Sequence, residues 1–576
     1  MSWNLIKQQQ KLLAGEQGAS VYPPGARQPF ALAYPNRYHV GMSNLGMQII
    51  YQQINLRGDT ACERFFLPET EQLREYLRSK TALLSLETQR PLHQFPLIGF
   101  AVSFEMDYFH LLDMLALGRI PLLARDRSDS DPLVIIGGPC ASFNPEPLAD
   151  FVDICIVGEG EEVIHELLDA YYRERDRCAS RQELLLALAR IPGIYIPAFY
   201  RHEYDEQGAL TGSTVLGQAP PAVSRRWIRD LDSYPGETVI STANTEFSNM
   251  HLVEVARGCG RHCRFCMAGY CFRRPRSRSL EVVKQGVDNA ARRQARVGLM
   301  GAAISDYPAI DTLCSYIAAK DLSMSVASLR ADSLTPLLVS SLAASGHKTI
   351  TLAPEAGSER LRRVINKNIS DQDLAEAVNL AIGAGIAHVR LYIMVGLPTE
   401  TDADIAAIAV MARQIKRRME SLGSKGRLTL SVNPFIPKPF TPFQWLPMCD
   451  YAIVVSRLKS IERELKPEKG IEVLIESPKE AYIQSVLARG DRRLAEALAQ
   501  AQALGGKKYW KQAMKQVQLD ENAYLYRQRS VAEVFPWHRY DIGLTAGYLQ
   551  QECQAALDEK YTPPCFAECK RCGVCS

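Results

Sequence analysis

Three cysteines at CxxxCxxC spacing, Cys259, Cys263 and Cys266, directly follow a strand-like apolar segment at 251–256. No other feature constrains this chain as tightly. A [4Fe-4S] cluster has four irons and usually takes four cysteine ligands, so three thiolates leave one iron open for a substrate or cofactor. Zinc in a closed site takes four ligands, and nearby only His262 and Cys271 offer a fourth. Cys271 reads instead as a packed thiol.

From about 248 to 445 short β-branched runs alternate with amphipathic helical stretches, the pattern of βα units around a parallel sheet. Strands are expected at 251–256, 297–304, 324–329, 348–353, 388–395 and 427–432. Six such units predict a partial (β/α)6 barrel, in which ligand groups gather at the C-terminal ends of the strands. The first strand ends at the cysteine loop. The second runs into Gly301-Ala302-Ala303, the third into Ser328 and Arg330, the fourth into Ala353-Pro354-Glu355, and the fifth into Val395-Gly396-Leu397.

The cysteine spacing, with aromatic Phe265 just before the third cysteine, resembles the signature of the radical S-adenosylmethionine (SAM) enzymes. In that family the open iron chelates the amino and carboxylate groups of SAM. One electron then cleaves the sulfonium to a 5′-deoxyadenosyl radical, which abstracts hydrogen. The resemblance implies that Cys259, Cys263 and Cys266 hold the catalytic cluster. It also implies that Phe265, Gly301, Ser328, Arg330, Glu355 and Gly396 line the cofactor: Gly301 at the SAM amino group, Arg330 at its carboxylate, Glu355 at its ribose and Gly396 at its adenine. The Gly-Gly-Glu often found after the second strand is absent here. Seven arginines between 257 and 278 crowd the loop. Most are expected to serve structure or cofactor; an anionic substrate, or an acidic electron donor such as flavodoxin or ferredoxin, is the other use for them.

Residues 29–225 show a second α/β pattern, with strands near 29–34, 97–104, 133–136 and 154–157, in outline a doubly wound, Rossmann-like sheet. Gly137-Gly138 and Gly158-Glu159-Gly160 would let a ligand lie against backbone at the sheet's C-terminal edge. This part resembles the cobalamin (B12)-binding domains that precede the barrel in one large radical SAM subfamily. The segments 143–150, 434–444 and 536–538 carry a closer likeness to a poorly characterised group of B12-binding-domain radical SAM proteins. The DxHxxG motif that supplies a histidine to cobalt is missing; the nearest look-alike, Asn36-Arg37-Tyr38-His39-Val40-Gly41, has the wrong first residue and spacing. Two readings stay open: cobalamin bound without a protein ligand to cobalt, or a domain that keeps only the fold and shapes the substrate pocket.

The expected organisation is a B12-binding-like α/β domain at 1–225, a linker at 226–247, the radical SAM barrel at 248–450, a mostly helical region at 451–561 and a Cys-rich tail at 562–576. In the tail Cys565, Cys569, Cys572 and Cys575 follow CxxxCxxCxxC spacing and fit either zinc or a second iron-sulfur cluster. The remaining eight of the fifteen cysteines are scattered and read as reduced thiols. A net charge of +3 makes no global case for nucleic acid, no apolar run reaches transmembrane length, and the first residues do not read as a signal peptide, so a cytoplasmic protein is expected. The expected function is SAM-dependent radical chemistry, with methylation of an unactivated carbon if cobalamin binds. The competing reading is an iron-sulfur RNA- or protein-binding module whose cluster is structural and whose arginines grip phosphate. Small molecule, protein and RNA all remain open as substrate.

Overall fold

A computed structural model describes residues 2–206, 208–566 and 568–575. The N-terminal part is built on a six-stranded sheet of order β2-β1-β3-β4-β5-β6: β1 Gln28–Tyr34, β2 Thr60–Phe66, β3 Leu97–Ala101, β4 Leu133–Gly137, β5 Ile154–Ile156 and β6 Ile194–Tyr195. The first five strands are parallel and β6 runs antiparallel to β5. Five consecutive residues of β1 are buried, as expected of a strand covered on both faces. The order 2-1-3-4-5 is a doubly wound one, and it places a crevice at the C-terminal ends of β1 and β3, where the strand order reverses.

Strand β2 lies where no strand was expected, because Glu63 and Arg64 interrupt its apolar pattern. Arg64 is nevertheless buried, with Glu16 and Glu87 each 2.6 Å from its guanidinium.

The barrel contributes β7 Met250–Glu254, β8 Arg296–Met300, β9 Met324–Ser325, β10 Thr349–Glu355, β11 His388–Val395, β12 Leu428–Pro434 and β13 Ile471–Ile475. These form two parallel sheets, β7-β8-β9 and β10-β11-β12-β13, joined by a parallel bridge between Leu329 and Leu352. All six expected strands are present, with two differences. The run expected at 324–329 hydrogen-bonds as a strand only over its first two residues and then continues irregularly past exposed Ser328. A seventh strand, β13, lies inside the segment expected to be mostly helical and pairs in parallel with β12. The pairing of β10 with β11 shifts register between Leu352 and Glu355, and Glu355 sits at φ +69°. Such a bulge re-aims the side chain at the strand end.

Helices Pro478–Arg489, Leu494–Leu504 and Trp510–Gln516 pack into the core under the N-terminal sheet, while a second core fills the barrel. The segment 143–150 makes the junction: Asn144 donates to the carbonyls of Ala488 (3.1 Å) and Gly490 (2.7 Å), and buried Glu146 holds Arg492 at 2.9 Å. Near the C-terminal end Tyr540–Asp541 pairs with Val223–Ser224. Among the described residues no helix is long and apolar enough to cross a membrane.

Candidate active site at the cysteine loop

Strand β7 delivers the chain to the cysteine loop, whose base is closed where Ala256–Arg257 pairs with Arg276–Ser277. Gly258 turns the chain at φ +79°; a Cβ there would lie 2.2 Å from the carbonyl oxygen of Phe272, so only glycine fits. Cys263 is buried and Cys259 and Cys266 are half-buried. Burial, together with neighbouring Cys263 and Cys259, pushes the Cys266 thiol up to about 12, and burial beside Cys263 raises Cys259 as well. Thiols placed like this ionise only when a cation compensates them, and binding metal does that. Among the described residues no three His, Cys, Asp or Glu side chains are gathered tightly enough to share one metal ion.

The other candidates spread around this loop. Phe265 is half-buried and packs on the small apolar cluster that contains Leu361, Leu397 and Phe435. Arg330 is buried, and its Nη1 points at Cys263 Sγ from 3.8 Å. Its Nε and Nη2 hold Asp332 at 2.9 and 2.8 Å, and Nη2 also reaches the carbonyl of Lys367. A ligand carboxylate would therefore meet Arg330 through Nη1, not through the two-pronged fork. Glu355 accepts from Lys367 Nζ at 3.3 Å. Gly396 sits at φ +90°, and its amide donates to Glu400, which Arg457 anchors at 2.8 Å. Gly301 follows β8 and is exposed to a cavity; Ser328 is exposed and lies outside that cavity's wall.

Five of the seven loop arginines carry carboxylates: Arg257 with Glu159, Glu161 and Glu254, Arg261 with Asp306 and Asp332, Arg264 with Glu552, Arg276 with Glu159, and Arg278 with Glu254. The reading in which these arginines grip phosphate thus loses its cationic surface. The acids, above all Glu159 and Glu254, were missed from sequence. The signal for Glu159 was present in the Gly158-Glu159-Gly160-Glu161 turn, but its partner Arg276 lies 117 residues away, whereas Glu254 stands beside the loop itself.

Between the C-terminal edge of the N-terminal sheet and the barrel mouth lies a largely apolar cavity of about 510 Å³. One wall is Leu45, Ile49, Gly99, Gly137 and Ile156; the other is Ala256, Gly258, Ala268, Phe272, Met300 and Gly301. Its volume lies within the usual range of small-molecule sites. Among the described residues no histidine lines it: His39 sits elsewhere, 3.4 Å from Glu246.

The tail folds back onto the cysteine loop. Cys569 and Cys572 are buried, Cys565 is half-buried and Cys575 is exposed. The amide of Cys565 donates to the carbonyl of Gly260 at 2.8 Å. Ala567, within the tail, lies outside the described residues.

Comparison with known proteins accords with this arrangement. Residues 253–412 match the model of the radical SAM superfamily, and residues 46–197 match that of radical SAM proteins, N-terminal. An uncharacterized protein of Methanocaldococcus jannaschii is 30% identical over 478 residues, 81% of this chain and 90% of its own length. An uncharacterized methyltransferase of Pyrococcus horikoshii is 24% identical over 298 residues, 49% of this chain and 58% of its own. Among solved structures, the radical SAM methyltransferase TsrM of Kitasatospora setae, with cobalamin and a [4Fe-4S] cluster bound, is similar over 85% of this chain and 99% of its own, at 14% identity and a TM-score of 0.46. The two family models and the Methanocaldococcus relative, with the barrel and its cysteine loop, place the chain in the radical SAM family of iron-sulfur, SAM-dependent enzymes.

Proposed function

We propose that Cys259, Cys263 and Cys266 hold the [4Fe-4S] cluster, that SAM occupies its open iron across Gly301, Arg330, Glu355 and Gly396, and that the enzyme methylates a carbon held in the adjoining cavity with the help of cobalamin. When bound, these groups supply one-electron cleavage of SAM and a transferable methyl group. The chain's own residues have narrower tasks. Arg330 directs positive charge at Cys263, Gly258 and Gly301 keep the cavity wall low beside the loop, and Phe272 and Met300 exclude water from it. The observation that carries this reading is the cavity itself, whose two walls are the crevice of a doubly wound sheet and the cluster loop. The glycine edge at Gly99 and Gly137 lets the flat face of a corrin ring lie against backbone. A relative that bears the name methyltransferase supports the reaction class. The reductant we assign is a small acidic one-electron carrier such as flavodoxin or ferredoxin, acting in the cytoplasm, where fifteen free cysteines stay reduced.

Anaerobic titration of the iron-loaded protein with hydroxocobalamin, followed by gel filtration and visible absorption, tests the cofactor. About one cobalamin retained per chain is expected. Cobalamin that washes away completely would overturn its part in the reaction and leave the cavity to substrate alone.

A further inference from the structure

The side of the cysteine loop that faces the tail holds a guanidinium that protein carboxylates leave uncompensated. Arg273 is 1% exposed, and among the described residues no carboxylate lies against it. Its Nε donates to the carbonyl of Gly269, its Nη2 reaches His262 Nδ1 at 2.7 Å, and its Nη1 points at two sulfurs, Cys572 Sγ at 3.1 Å and Cys565 Sγ at 3.6 Å. Arginine does not lose its proton in a protein, and a buried cation needs an anionic partner. The aromatic face of Tyr270, 5.5 Å away, supplies only part of that. The remaining neighbours of its guanidinium are sulfurs. His262 is fully buried and aims at the same place. Its Nδ1 faces Arg273 Nη2 at 2.7 Å and the Tyr548 hydroxyl at 2.6 Å, and its Nε2 lies 3.2 Å from both Arg273 Nη2 and Cys565 Sγ. Two nitrogen-bearing side chains thus converge on the sulfurs of the tail.

We infer that Cys565, Cys569, Cys572 and Cys575 bind a second iron-sulfur cluster against the back of the catalytic loop, with Arg273 and His262 as hydrogen-bond donors to its sulfurs. The choice of iron over zinc rests on two points. Four cysteines within eleven residues suffice for a cluster, and N–H donors to sulfur are a means by which proteins set cluster potentials. The site is independent of the catalytic reading, since none of its ligands belongs to the CxxxCxxC motif.

The test is metal and sulfide analysis of the anaerobically purified full chain, with electron paramagnetic resonance after dithionite. About eight irons with matching acid-labile sulfide and no zinc are expected in the wild type. About four irons should remain both in a Cys569→Ser/Cys572→Ser variant and in a Cys259→Ala/Cys263→Ala/Cys266→Ala variant. Loss of all iron from the second variant would overturn the inference, as would about one zinc per chain that disappears from the first. If the first variant does not fold, Cys575→Ala, altered at an exposed position, takes its place and must change the resonance that survives in the catalytic-loop variant. Arg273→Gln should move the midpoint potential of that surviving signal to more negative values, whereas an unchanged potential would remove Arg273 from the site.

Discussion

Removing the carboxylate of Glu159 should loosen the N-terminal sheet from the cysteine loop. Glu159 is buried and accepts from Arg276 at 2.6 and 2.8 Å and from the amide of Ile228 at 2.7 Å; Arg257 stands 3.2 Å away. Burial alone would raise its pKa, but Arg276, Arg257 and the Ile228 amide outweigh that and hold the carboxyl below its ordinary range. In Glu159→Ala, Arg257 keeps Glu161 and Glu254, whereas Arg276 loses its only carboxylate and remains buried with carbonyls and the Trp227 face. Orphaning one member of a buried pair costs about 3–5 kcal/mol. With a urea dependence of about 2 kcal/mol per molar, the first unfolding transition, followed anaerobically by tryptophan fluorescence, should move down by about 2 M. Because the charge on Arg276 is the source of the cost, Glu159→Leu/Arg276→Met should recover most of the loss. A shift below about 0.3 M in the single variant, or a double variant as unstable as the single one, would refute this reasoning.

Gly137→Leu projects a side chain from the cavity wall at a position where a Cβ meets only Ile156 Cβ, at 4.0 Å. The variant should fold with unchanged circular dichroism and lose at least about tenfold (~1.4 kcal/mol) in affinity for the cavity's ligand, read by the same cobalamin titration. Asp404 accepts from Thr401, Ser358 and Arg360. Although burial opposes it, these donors lower its pKa from 3.8 to about 2. A depressed carboxylate stabilises fully above its unfolded pKa, and the contribution fades as pH falls through the folded value. Asp404→Asn should therefore cost about 2 kcal/mol at pH 7, with the gap to wild type closing between about pH 4 and 2 in urea titrations; a pH-independent gap would contradict the assignment.

What the sequence revealed and what it hid follow from the range of the interactions. The barrel strands were readable because each is a local run of apolar residues. The cysteine loop was readable because its chemistry lies within eight residues. Strand β2 was hidden by Glu63 and Arg64, charges that read as surface; inside, Arg64 pairs with Glu16 and Glu87, and Glu63 accepts from Thr88. Strand β13 was hidden because Ile471–Ile475 stands between two strong helical patterns and gains its place only from β12. The loop arginines looked like a basic patch, since Glu159, Glu552 and Asp306 are remote in sequence. His262 looked like a spare zinc ligand, and its contacts with Tyr548 and Cys565, 286 and 303 residues away, are formed only in the folded chain.

Formation of 5′-deoxyadenosine tests the catalytic assignment most directly. The anaerobic protein, reconstituted with iron and sulfide, is given dithionite and SAM, and the product is followed by chromatography. Wild type should form 5′-deoxyadenosine and Cys259→Ala/Cys263→Ala/Cys266→Ala should form none. Product from the triple variant, or no product from a wild type that demonstrably carries its iron, would contradict the assignment of SAM cleavage to this loop.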